Sequence, residues 1–232
     1  MTRLRSIFLV VLYAFLLTLA IPLLLFCVIF GLRDPIIAYG KWAMRVTRVI
    51  LRITLEVVGL DTLDPDEVYV FMPNHLSFMD GPLVATVIPR PVRIILKKAV
   101  FIVPVLGIAM RYVGFISVDR KGAQGGRKSI ERAAALMRAK RYSFLVFPEG
   151  TRSRDGKLQA FRRGGFFLAL ESGAAIIPVT ITGTYELMPR GQWYAKSGPI
   201  RVSFHDPILT TGYNVETMGA LMDAVKESIL RG

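Results

Sequence analysis

His75 and Asp80 stand in the run Asn74-His75-Leu76-Ser77-Phe78-Met79-Asp80. A histidine exchanges protons near neutral pH, and a carboxylate five residues on can orient its ring. The chain has two histidines and one cysteine, so other candidates for such proton transfer are few. The strand-like run Val68-Tyr69-Val70-Phe71-Met72 ends just before the pair, at Pro73. This puts the histidine at a strand mouth, where α/β folds carry their chemistry. Further clusters also fall at expected strand ends. Residues 114–120 read as a strand closing on the cation Arg120. Phe147-Pro148-Glu149-Gly150-Thr151-Arg152-Ser153 is a strand end, a Pro/Gly turn, a hydroxyl and a guanidinium. Guanidinium presents two parallel donors to phosphate oxygens, so Arg120 and Arg152 suit an anionic group. Lys97 and Lys98, at another strand end, add point charges. Ser77 reads as a local helix cap, His205 as structural, and Arg162 and Arg163 as surface residues.

These residues need a scaffold, and the pattern after residue 60 supplies one. Short β-rich runs at 68–72, 92–96, 115–118, 144–147, 176–182 and 200–204 alternate with helical runs at 81–87, 104–112, 126–140, 164–171 and 215–230. Such alternation predicts an α/β domain, a largely parallel sheet flanked by helices. The expected division is 1–58 for an N-terminal anchor and 59–232 for the catalytic domain.

The anchor rests on hydropathy. No charged residue occurs from position 7 to position 32, enough for a helix of about 39 Å against a hydrocarbon core of ~30 Å. Pro22 lies inside the run. It is too long for a secretory signal, and bulky Phe26 argues against lipid attachment at Cys27. After Arg33-Asp34-Pro35 a second helix is expected over 36–58. Lys41, Arg45, Arg48 and Arg52 would share one face, and Trp42, Val46, Val49, Ile53 and Val57 an adjoining apolar one, the pattern of a helix at a lipid surface. A single span and a hairpin in one leaflet are both compatible with the sequence. Apolar residues make up 53% of the chain and the net charge is +13. That balance suits anionic lipids, phosphorylated substrates or an acidic carrier. No nucleic-acid motif accompanies the charge. One cysteine excludes an intrachain disulfide, and the scattered His and Cys form no zinc ligand set.

Taken in order, Asn74-His75-x4-Asp80, the strand ending at Arg120, residues 147–153 and the Ile177-Pro178 segment resemble the four blocks of the glycerolipid acyltransferase family, most of all its bacterial 1-acyl-glycerol-3-phosphate acyltransferases. Ser117 stands where a bulky apolar residue is common. The resemblance implies a glycerol-3-phosphate acyltransferase-like fold behind a two-helix membrane anchor, at the cytoplasmic side of a bacterial inner membrane. It implies His75 as general base and Asp80 as its partner, with direct acyl transfer and no acyl-enzyme. Backbone N–H groups near Asn74 and His75 are expected to stabilise the oxyanion. Arg120, Arg152, Glu149, Gly150 and Thr151 would serve the acceptor, assisted by Lys97 or Lys98, with Glu149 either organising the loop or touching the glycerol. The expected partners are a phospholipid bilayer, a lysophospholipid, and acyl-CoA or acyl carrier protein as donor substrate, with no cofactor and no metal. Lysophosphatidate is the expected acceptor; lysophosphatidylglycerol, a lyso-ornithine lipid, and a non-catalytic lipid-binding role are the alternatives.

Overall fold

The computed structural model describes residues 2–118 and 123–232. A mixed sheet of seven strands runs in the order β1-β7-β6-β2-β5-β3-β4. Its strands are β1 (Ile53–Val58), β2 (Tyr69–Pro73), β3 (Val92–Lys97), β4 (Ile116–Val118), β5 (Ser143–Leu145), β6 (Ala175–Thr182) and β7 (Gly198–Phe204). From β6 through β2, β5 and β3 to β4 every pairing is parallel. The β7 strand runs antiparallel to β6 and parallel to β1. The expected largely parallel α/β sheet is present.

Successive residues of a strand point to opposite faces. On β2, Tyr69 and Phe71 join one core with Leu83 and Val84 of α3 (Asp80–Val87) and Met44 and Leu51 of α2 (Asp34–Leu51). Val70 and Met72 join the other core, under α5 (Ala123–Lys140), α6 (Gly164–Ser172) and α8 (Met218–Arg231). Burial on both faces explains why β2 reads as an unbroken apolar run. The connection leaving β2 passes over one face through α3, and that leaving β5 passes over the other through α6. The two connections diverge at the carboxyl ends of neighbouring strands, the position at which open α/β sheets form a crevice.

The segment 36–58 differs from expectation. It is not one helix: α2 ends at Leu51, Arg52 turns into the left-handed region at φ 55°, and Ile53–Val58 pairs with β7 as an edge strand. The buried face of α2 is Ala43, Met44, Thr47 and Leu51, while Trp42 and Val49 point outward. Small side chains at Ala43 and Thr47 allow α1 (Thr2–Ile29) to pack closely; Tyr13 Oη lies 2.7 Å from Thr47 Oγ1, and Tyr39 Oη donates to the Leu16 carbonyl at 2.8 Å. Pro22 sits within the continuous α1.

Both ends of α1 touch the domain. Near its start Arg5 Nη1 donates to Ser197 Oγ at 3.0 Å, and Ser6 Oγ accepts the Ala195 N–H at 3.1 Å. Near its end the Cys27 carbonyl accepts from Tyr112 Oη at 2.7 Å, on α4 (Leu106–Tyr112). Only a narrow stripe of α1 is covered: Ser6, Leu9, Leu16, Leu24 and Cys27 are buried, whereas Phe8, Val11, Phe15 and Phe26 are exposed. Among the described residues it is the one helix long and apolar enough to cross a bilayer.

Candidate active site

His75 follows β2, and Asp80 opens α3, so a short loop brings them together. His75 Nδ1 lies 2.9 Å from Asp80 Oδ2. The same carboxylate oxygen accepts the Leu76 and Ser77 N–H groups, each at 2.7 Å. Asp80 is fully buried, and the start of α3 favours its negative charge. Acceptance at Nδ1–H leaves Nε2 as the nitrogen able to take a proton. Among the described residues no group hydrogen-bonds Nε2. The imidazole stacks on Phe147, with ring centroids 4.0 Å apart.

The loop after β5 grips the His75 backbone at both of its polar groups. The His75 N–H donates to Glu149 Oε1 at 2.6 Å, and the His75 carbonyl accepts the Ser153 N–H at 2.8 Å. Glu149 Oε2 takes the backbone and side-chain N–H groups of Gln159, at 2.9 and 3.2 Å. Burial pushes the Glu149 carboxyl above the usual carboxylate range, and the donated N–H groups of Gln159 and His75 pull it the other way. Through these contacts Glu149 ties the loop after β5 to the His75 backbone. Asn74 pins the end of β2 to β6: its Nδ2 donates to the Ile181 carbonyl at 2.9 Å and its Oδ1 accepts the Ile181 N–H at 2.7 Å.

One expectation is overturned. The Asn74 and His75 N–H groups are not available as oxyanion donors. Asn74 N–H points at the Val179 carbonyl and His75 N–H at Glu149, while those of Leu76 and Ser77 serve Asp80. A carboxylate that holds a ring needs donors, and this loop spends its own N–H groups there.

Basic residues stand on and against the loops that hold His75. The Arg152 guanidinium lies 6.0 Å from the ring of Phe78, a residue of the His75 loop. Gly150 takes φ +70° in the turn closed by its N–H to the Phe147 carbonyl, and the Arg162 side chain packs against it so closely that a Cβ would lie 2.7 Å from Cδ. Arg190 was not singled out in the sequence. It follows β6 beyond the short α7 (Thr184–Leu187), and its Nη1 approaches Thr151 Oγ1 at 3.5 Å and the Arg152 carbonyl at 3.4 Å. Ser77, buried, donates to the Met188 carbonyl at 2.8 Å and accepts the Met79 N–H at 3.3 Å; it ties two loops together rather than capping α3 as expected, since the N-cap position is Met79. Loops after β2, β5 and β6 are thus tied into one unit.

Lys97 closes β3 and Lys98 follows it, both at the same edge. As β5 separates β3 from β2, they are about 10 Å across the sheet from the end of β2. Arg120 falls outside the described residues. Arg163 turns away, donating to the Val215 carbonyl at 3.0 Å. His205 is far off and structural: Thr180 Oγ1 gives its one hydrogen to the Ile229 carbonyl, so His205 Nε2, 2.7 Å away, must be the donor. No cluster of three or more His, Cys, Asp or Glu suited to a metal occurs among the described residues.

Residues 54–182 match the family model described as Acyltransferase. The chain belongs to that family. It is 33% identical over 66% of its length to the chloroplastic 1-acyl-sn-glycerol-3-phosphate acyltransferase of Arabidopsis thaliana, and that alignment spans 43% of the plant protein. It is 27% identical over 93% of its length to the alpha form of the human enzyme of the same name, spanning 75% of that protein. The chain thus spans about half the length of the first curated relatives it matches. The crystal structure of the 1-acyl-sn-glycerophosphate acyltransferase of Thermotoga maritima superposes with a TM-score of 0.78 at 27% identity, covering 100% of this chain and 96% of that one.

Proposed function

We propose that this chain transfers a fatty acyl group from an acyl thioester to the free glycerol hydroxyl of lysophosphatidate, forming phosphatidate. The observation that carries the reading is the His75–Asp80 pair, oriented through Nδ1 with Nε2 left for an incoming hydroxyl, in a chain of the Acyltransferase family. His75 Nε2 takes the hydroxyl proton as the oxygen attacks the thioester carbonyl. The C–O bond forms, the C–S bond breaks, and the imidazolium returns its proton to the departing thiolate. Asp80 holds the tautomer and stabilises the imidazolium, as the carboxylate of a serine-protease triad does, but here the substrate oxygen is the nucleophile. Arg152, with Arg190 beside it, offers donors for the acceptor phosphate, and Arg120 completes this reading from the sequence. Acyl-CoA and acyl carrier protein both suit the basic surface as donors. The named activity of the plant, human and Thermotoga maritima proteins supports the choice of acceptor.

The chain works at a bilayer through α1 and α2, at the inner face of a bacterial cytoplasmic membrane. A helix pinned at both ends to one domain lies along that domain, so α1 rests within one leaflet rather than crossing. An assay of the purified chain with lysophosphatidate, lysophosphatidylglycerol and monoacylglycerol, each with acyl-CoA and acyl carrier protein donors, tests the reading. Phosphatidate formation with preference for the phosphate-bearing acceptor is expected; no transfer to any lysolipid would overturn it.

A further inference from the structure

The 3₁₀ turn Lys98–Ile102 and α4 form an apolar projection on the catalytic domain that no part of the chemistry uses. Ile102 is 73% exposed, Val103 42% and Ile108 57%, while Phe101 beneath them is buried. The projection is built rather than loose. Gly107 packs so tightly under the turn that a Cβ would sit 2.2 Å from the Phe101 carbonyl oxygen, and its N–H donates to the Val103 carbonyl at 2.8 Å. Val105 is held at φ 60°, ψ −58°, with the Leu106 N–H bonded to the Pro104 carbonyl at 2.5 Å across it. A β-branched residue seldom adopts this γ-turn conformation, and strain of this kind persists where surrounding structure enforces it. Held so, the chain keeps three large aliphatic side chains in water instead of folding them inward.

Two observations indicate what covers them. The projection continues the uncovered surface of α1: Tyr112 of α4 bonds to the Cys27 carbonyl, next to the exposed Phe26, Ile29 and Phe30. Cations flank the apolar tip, with Lys97 and Lys98 before it and Arg111 behind it, its guanidinium 5.6 Å from the Phe101 ring. Aliphatic side chains ringed by Lys and Arg are the composition of a surface that sits at the boundary of headgroups and acyl chains.

We propose that Ile102, Val103 and Ile108 insert into a lipid bilayer bearing anionic headgroups, giving the catalytic domain an attachment of its own beside α1. The proposal rests on the membrane reading of α1. Two attachments on different elements fix an orientation that one cannot: the segment leaves β3 at the same sheet edge as His75, so this edge turns toward the lipid and the site receives its acceptor from the membrane plane.

The full chain, with Cys27→Ser removing its one cysteine, is labelled with an environment-sensitive fluorophore at Ile102→Cys, Ile108→Cys, Phe15→Cys or Lys140→Cys. Each protein is reconstituted with phosphatidylglycerol–phosphatidylethanolamine vesicles carrying a doxyl-lipid quencher. Labels at 102 and 108 are expected to shift to the blue and to be quenched as the label at 15 is, while that at 140, where α5 ends at the opposite edge of the sheet, stays unquenched. Quenching at 15 without quenching at 102 and 108 overturns this proposal alone. Loss of quenching at all three sites takes the membrane reading down with it. Energy transfer between labelled copies at 102 and 108, without lipid quenching, shows that a second copy covers the patch and also overturns it. The two positions report separately, so a variant that misfolds leaves the other to decide.

Discussion

Two sets of polar side chains meet at one edge of the sheet and are held in opposite ways. His75, Asp80 and Glu149 form a mostly buried chain of short hydrogen bonds in which each member is fixed from several sides. Arg152 and Arg190 are partly or fully open to water and are steadied by long contacts, such as that of Arg190 with Thr151 at 3.5 Å. Proton transfer depends on geometry to a fraction of an ångström, whereas binding a phosphate on a mobile lipid tolerates adjustment. On the proposed function, rigidity is concentrated where bonds would change, and charge is left adaptable where a headgroup would be bound.

That contrast can be broken from the buried side first. Asp80→Asn keeps an oxygen for the three donors that Oδ2 serves but removes the negative charge that steadies the imidazolium, and kcat should fall by roughly 10²–10⁴-fold, the range of general-base assistance. Acceptor KM, measured in the same assay, should hardly move. Glu149→Gln leaves one of the N–H groups of His75 or Gln159 facing another donor, at a cost of about 1–3 kcal/mol. A lower melting temperature and a reduced kcat are expected together; a selective rise in acceptor KM would instead mean that Glu149 touches the substrate. On the exposed side, Arg152→Ala should raise KM for lysophosphatidate about tenfold with kcat largely kept, and Arg190→Ala less, since these cations are partly screened by salt. Equal losses toward monoacylglycerol would assign both arginines to the fold.

The smallest effect lies away from the site. Burial holds the His205 imidazole below its ordinary value, with Asp206 opposing and Arg231 adding to the shift. The folded chain therefore binds fewer protons than the unfolded one as pH falls from about 6.5, and its stability declines through that window toward the lowered folded value. His205→Gln keeps a donor for Thr180 and should flatten the acid limb of melting temperature against pH. Parallel limbs would exclude His205 as its source.

What the sequence disclosed follows the same division. The β2 strand was legible because both its faces are buried and its residues are uniformly apolar. The His75–Asp80 pairing was legible because it is local. The break between α2 and β1 was not: the left-handed position that ends α2 is filled by Arg52, without the glycine that would announce it, and the β-branched residues that follow prolong the helical pattern. The ties of Asn74 to Ile181 and of Ser77 to Met188 join residues more than a hundred positions apart, beyond any spacing rule. Arg190 was within reach, since it follows β6 in a Pro-Arg-Gly turn at the same edge that marked Arg152.

The most direct measurement is single-turnover acyl transfer by the His75→Ala chain, from acyl thioester to lysophosphatidate, with its melting curve recorded beside the native one. Because Asp80 keeps two backbone donors and α1 is untouched, the variant should fold and bind vesicles as the native chain does while transfer drops by at least about 10²-fold. Transfer within a few-fold of the native rate would contradict the assignment of His75 as the base.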